Sequence, residues 1–420
     1  MQEFQFKLQF RLRAFQREKC IDIKRPRKIL CSSSKYGLTF IGCPTGVQCI
    51  NTANIVSLYE NQQNNRKYIC DYPRRELSIG ETPSHLDISS DSELLAVAIT
   101  IQNCPVLYVY SVPSFGSKDI LKKYELRLSN TSGVEVLDVQ WNPRLQNILA
   151  AVLSDGSVIA CEFKQGSYSL NTLPGNVQAT CICWSPKGKQ IVIGAANGTL
   201  SQYRPELKLV KSFPPPQLNN PVATVSVQWL SSFQFAAVYK DTANPSQGPV
   251  LIIVNVPKGA PINYVNYEGI CFGSRSGRPE HFFIHQQEWN LLMVGCGNSM
   301  ELGVLKQQGE TPGWEQWCQG EANRAELPLN EDHKDVHTVG LSFDTSVTNK
   351  INIGSDKMIE PMPFVFMLSH EGVLCMFYAI NMLPNVPNLC NPPQPLPDQS
   401  GLHLFSVPQV GNGLWKYYLA

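Results

Sequence analysis

Apolar and polar positions alternate in short bursts along this chain, and between residues 136 and 203 one pattern of bursts is written twice. The first copy runs from Val136 to Trp141 and Pro143, continues through the apolar run Ile148–Leu153, and resumes after Asp155-Gly156 as far as Cys161. The second runs from Ala179 to Trp184 and Pro186, through Ile191–Gly194, and resumes after Asn197-Gly198 as far as Tyr203. Each copy predicts three strands: one alternating up to a Trp-x-Pro corner, one continuously apolar, and one entered through a Gly-containing turn. Asp-Gly and Asn-Gly supply the positive φ angles of a two-residue hairpin. Proline ends the first strand because it cannot donate to a ladder and biases its predecessor to an extended conformation. Trp141 and Trp184 stand 43 residues apart, within the roughly 40–45 residues of one β-propeller blade. A blade cannot bury both its faces alone, so several must stack around an axis.

The same period organises the flanks. Lys35–Ile50 predicts a hairpin of the first recognisable blade, and Leu86–Ile99 repeats the opening pattern with Ser90 in the tryptophan's place. Val225–Trp229, Phe233–Tyr239 and Val250–Val256 form a looser unit, with Trp229 45 residues after Trp184. His281–Gly295 with Met300–Leu305 is the sixth unit; His337–Phe343 with Pro363–Tyr378 is the seventh. The expected fold is therefore all-β, a seven-bladed, WD40-like β-propeller over residues 1–383. Phe4, Phe6, Leu8, Phe10 and Leu12 alternate with polar residues over Gln2–Arg13. That half-buried strand is the natural piece to complete a neighbouring sheet and hide an edge. Seven prolines fall between Pro384 and Pro408, so residues 384–420 read as a Pro-rich extended tail or linker leaving the domain. Leu414–Ala420, apolar and aromatic, is expected either to dock locally or to fray.

Bulk properties narrow the chemistry. A net charge of +1 with 16% charged residues gives no electrostatic footprint for nucleic acid or an anionic membrane. No apolar run is long enough to span a bilayer, and the start of the chain has no signal-peptide pattern. The 14 cysteines include no Cys-x-x-Cys pair, and most sit in strand-like runs, which points to reduced thiols used as small apolar fillers. Ser185–Gln190 lacks the spacing of a phosphate-binding loop, and Gly273–Gly277 misplaces its serines for a nucleophile elbow. His281 and His285 have a metal-like interval, but four residues along a strand span about 13 Å, too far to share an ion without a bend. We expect no catalysis, cofactor or metal; a propeller hydrolase would need an acid, base or metal cluster in the channel.

The segment between the sixth and seventh units breaks the repeat. It carries Trp314 and Trp317, expected to pin it to the blade beneath, then Arg324-Ala-Glu-Leu-Pro328 and an acidic stretch. From Glu315 to Asp335 there are six acidic residues against Arg324 and Lys334, consistent either with a solvated loop or with a docking loop for a basic partner.

These residues, with Ser34–Leu38, Trp141–Pro143, Cys183–Gln190, Glu288-Trp289 and Gly372–Cys375, resemble the N-terminal propeller of the CAN family. Its members are the large Phe-Gly nucleoporins of the cytoplasmic face of the nuclear pore, and the likeness covers about residues 3–383. The resemblance implies a non-enzymatic docking platform in mRNA export and nucleocytoplasmic transport. It would hold a DEAD-box RNA helicase through the helicase's N-terminal RecA-like domain, overlapping the helicase's RNA-binding surface. Arg324 and Asp335 would be the charged pair-makers, with Leu329 an apolar contact between them. Other nucleoporins would be met through regions absent from this chain, whose two Phe-Gly dipeptides form no repeat array, so the resemblance implies a fragment or a truncated form. A generic WD40-like scaffold in an unrelated assembly is the alternative.

Overall fold

The computed structural model describes residues 3–61, 67–244, 246–267, 269–270, 280–309, 313–354 and 357–407; the Gly273–Gly277 loop and Leu414–Ala420 lie outside them. Seven four-stranded antiparallel sheets are arranged as a closed ring, with a short two-stranded hairpin beside them. The first strand of each blade lies next to the first strand of its neighbours, from Leu30–Ser33 in blade one round to Thr338–Asp344 in blade seven and back to blade one. One apolar cluster fills each of the seven blade-to-blade contacts. The core is thus a set of wedges between sheets, as the stacking argument requires.

Blade three shows the local logic. Val136–Trp141, Ile148–Leu153, Val158–Lys164 and Ser167–Leu173 pair in order. Trp141 is buried, and its indole Nε1 donates to the Asp87 carbonyl of blade two at 3.2 Å. Trp184 repeats this toward the Gln140 carbonyl of blade three at 3.1 Å. Each of these tryptophans therefore staples its blade to the one before. The Asp155-Gly156 turn holds three residues, not the two expected: Gly156 N donates to Leu153 O, and Leu153 N to Ser157 O. Gly156 has φ +81°, and a Cβ there would meet Gly175 O at 2.7 Å, so glycine is required twice over.

Two further expectations are corrected. Both repeat copies have a fourth, outer strand where the pattern predicts three. In blade three that strand, Ser167–Leu173, is almost entirely exposed, and the Tyr168 and Leu170 that alternate with its polar residues stay in solvent. Trp314–Gln316 is likewise the outer strand of blade six, not an insertion, although Trp314 is buried as expected.

The opening strand Phe4–Arg13 completes blade seven by pairing with Val373–Asn381, closing the ring with segments from opposite ends of the propeller sequence. Its register slips between Leu8 and Phe10. Strict alternation would leave all five apolar residues on one face, but this bulge turns the strand over. Phe4 and Phe6 consequently pack into the blade six–seven wedge, and Phe10 and Leu12 into the blade seven–one wedge.

The Pro-rich segment is extended, yet over its described residues it lies along the propeller instead of leading away. Trp289 Nε1 donates to Pro387 O, Asn391 N to Thr345 O, and Gln394 N to Lys35 O. Leu389 and Leu396 are buried in wedges of the ring. Gly116 leaves room for the segment, since a Cβ there would stand 2.3 Å from Asp398 O. The prolines reveal extension; the surface that receives it is assembled from four blades and is invisible in local composition.

Candidate docking surface

The segment between blades six and seven is held by a short ladder. Leu302 N donates to Ala325 O and Leu327 N to Met300 O, which makes residues 324–327 an extra extended stretch. Alternation then sorts the side chains. Ala325 and Leu327 are buried in the same wedge as Phe4, Phe6 and Trp289, whereas Arg324 is exposed and Glu326 half-buried. Trp317 packs on the rim of that wedge, 6.5 Å from the Phe4 ring. Leu329 is 41% exposed, and Asp335 is exposed at the far end of the segment.

The fold thus places Arg324, Leu329 and Asp335 on one solvent-facing stretch, outside the wheel's interior. The Arg324 guanidinium is already engaged, however. Its Nη1 lies 2.9 Å from Glu301 Oε1, and its Nε donates to Gln319 O at 3.2 Å. Sequence alone does not nominate Glu301. It lies on the blade-six turn beneath, and nothing in the local pattern pairs it with a residue 23 positions on. Burial and the Glu301 carboxylate raise the Glu326 carboxyl above its ordinary value, against the pull of Arg324.

Beyond Leu329 the chain makes a tight turn. Asn330 Oδ1 accepts from the amides of Asp332 and Lys334 at 3.0 and 2.9 Å, and Asn330 N donates to Lys334 O. His333 adopts φ +58° to close it. The acidic tip is also paired internally, with Arg13 and Arg17.

The channel itself offers different chemistry at its two mouths. At one of them Lys28 Nζ sits 3.8 Å from Asp138 Oδ1. Burial lifts the Asp87 carboxyl to about 6, although Lys28 draws it down. At the Trp-x-Pro side a cavity of about 740 Å³ is lined by Trp141, Trp184, Trp229, Gln140, Gln228 and the returning segment at Asn388. Its thiol, Cys183, is held protonated by burial, which pushes it up to about 12. His285 also lines this cavity, and burial lowers it to about 4.

That shift gives a pH prediction. Folded His285 resists a proton that the unfolded chain accepts near 6.5, so acidification from pH 6.5 to 4 favours unfolding. The loss from this group is about 3 kcal/mol, while Asp87, raised to about 6, contributes in the opposite sense between pH 6 and 4. In urea unfolding at both pH values, His285→Gln should shrink the stability difference by about 3 kcal/mol. An unchanged difference would show that the imidazole titrates normally in the fold.

The NUP159/214 beta propeller family model matches residues 27–374. The chain belongs to the NUP159/214 β-propeller family. Among relatives, it is 36% identical over 408 residues to nuclear pore complex protein Nup214 of Drosophila melanogaster, covering 95% of this chain and 23% of that protein. It is 30% identical over 409 residues to human Nup214, covering 94% and 20%. The chain therefore spans about a fifth to a quarter of the length of these relatives. Among solved structures, the N-terminal domain of Nup159 overlays with a TM-score of 0.64 at 14% identity, covering 90% of this chain and 96% of that one. Nup159 in an S. cerevisiae assembly with Dbp5, Gle1, IP6 and ADP overlays at 0.63 and 14%, covering 90% and 95%. The likeness to these structures establishes the ring architecture of the NUP159/214 propeller, and the Nup214 relatives extend its sequence match over nearly the whole chain.

Proposed function

We propose that this NUP159/214-family propeller is a non-enzymatic docking platform for a DEAD-box RNA helicase at the cytoplasmic face of the nuclear pore. It would act in mRNA export by holding the helicase through its N-terminal RecA-like domain, in competition with RNA. The observation that carries the reading is the outward presentation of Arg324, Leu329 and Asp335 on a stretch anchored by buried Ala325 and Leu327. The Nup159 assembly containing Dbp5 supplies the partner class. Two opposite charges and an apolar side chain on one rigid ledge can fix the register of a partner. Competition follows if the partner's docking and RNA surfaces overlap: a protein that binds only the RNA-free helicase shifts the population by its differential affinity. Contacts with other nucleoporins would belong to parts of the longer relatives outside the matched region.

The test is a titration of propeller into helicase loaded with fluorescent single-stranded RNA. The predicted result is saturable RNA release, with no binding of the propeller itself to the RNA. A stable ternary complex would contradict the competition.

A further inference from the structure

We propose that Arg17 is the positioning residue of the docking surface, a latch that holds the 330–335 turn in one conformation. This rests on the docking function inferred above. Three carboxylates converge on the one guanidinium: Asp332 on Nη2, Glu371 Oε2 at 3.3 Å from Nε, and Glu331 Oε2 at 3.8 Å from Nη1. Glu371, at the turn between two strands of blade seven, is itself buried, with 8% exposure. Its other oxygen accepts from Asn330 Nδ2 at 3.0 Å, the same side chain whose Oδ1 gathers the amides of the turn.

Arg17 therefore joins three elements: the segment following the ring-closing strand, a blade-seven turn, and the tip of the docking stretch. Arg13 reinforces the joint, with Nη2 3.5 Å from Glu331 Oε1, Nη1 donating to Glu371 O at 3.3 Å, and its guanidinium over the Tyr68 ring at 4.5 Å. Without the Arg17 charge, Glu331, Asp332 and Glu371 face one another, offset by Arg13, Lys334 and the His333 imidazole. Like charges brought that close repel, and the turn that places Asp335 loses its tie to the ring. The same pairing commits the carboxylates of the acidic tip within the chain, leaving Arg324, Leu329 and Asp335 outward.

The test is amide hydrogen exchange at Asp332 and Lys334, read alongside binding of the helicase's N-terminal RecA-like domain. Arg17→Ala should speed exchange at these amides at least tenfold, leave exchange in blade five unchanged, and weaken helicase binding about five- to twentyfold, since only the ordered fraction binds. Arg17→Lys should fall between, because an ammonium restores charge but not a fork that reaches three carboxylates. Added salt should move wild-type exchange toward that of Arg17→Ala, a response that a purely steric role would lack. Unchanged exchange in Arg17→Ala overturns the latch whatever the helicase does. Faster exchange with undiminished helicase binding overturns its part in docking. Faster exchange in a protein whose wild type never binds the helicase upholds the latch and refutes the docking function instead.

Discussion

Replacing Phe6 by alanine is expected to lower the unfolding free energy by about 3–5 kcal/mol, and removing residues 1–13 to abolish cooperative folding. Phe6 is 1% exposed and meets the Phe4 ring edge-on at 5.1 Å inside the wedge shared by blades six and seven. Truncation leaves a cavity that neighbouring sheets, each held by its own ladder, cannot collapse to fill. Deletion of the whole strand does more. It strips the ladder from Val373–Asn381, a strand buried at every position, and opens two wedges at once because the bulge sends side chains to both faces. Lys7→Ala, on an exposed position of the same strand, should stay within about 0.5 kcal/mol. Urea unfolding followed by tryptophan fluorescence checks all three variants. A deletion variant that unfolds at the wild-type midpoint would show that the ring does not need its closing strand.

The parts of this fold legible in the sequence are those whose signal is local. Trp141 and Trp184 with their proline corners, and the glycines of the following turns, mark blades because one burst of residues contains the whole message. Ser167–Leu173 carries a fainter message: Tyr168 and Leu170 alternate with polar residues, but both stay in solvent, and two positions without a buried face do not mark a strand. The bulge at Gln9 is hidden for another reason. The alternation from Phe4 to Leu12 is unbroken, and the turnover exists only in the register against Val373–Asn381. The segment beyond Pro384 reads as departing because its composition fixes its conformation but not its contacts.

The docking stretch divides in the same way. Family resemblance nominates Arg324, Leu329 and Asp335, and the buried–exposed alternation of Arg324–Leu327 is written in the residues themselves. Glu301 and Arg17 have no such signal. Arg17 and Asp332 are 315 positions apart, so only ring closure brings them together, and nothing short of the fold could pair them.

Charge reversal on this stretch is the second large expected effect. Arg324→Glu and Asp335→Arg should each weaken helicase binding at least tenfold, a difference of about 1.4 kcal/mol or more. The internal pair with Glu301 does not prevent this. Arg324 and Glu301 are 40% and 33% exposed, and such surface pairs contribute about 0–1 kcal/mol, so a partner carboxylate can share or take the guanidinium. Arg324→Glu sets three carboxylates, those of residue 324, Glu301 and Glu326, against a partner that expects a cation, and a misplaced charge at an interface costs more than an absent one. Stability should hold within about 1 kcal/mol in either variant, which separates lost docking from lost folding.

The deciding measurement is a calorimetric titration of the helicase's N-terminal RecA-like domain into the wild-type propeller and the two reversals, at low and high salt. Wild-type binding should weaken with salt, and affinity should fall at least tenfold in both reversals. Wild-type affinity retained by both would place the contact elsewhere on the ring and contradict the docking role of this stretch.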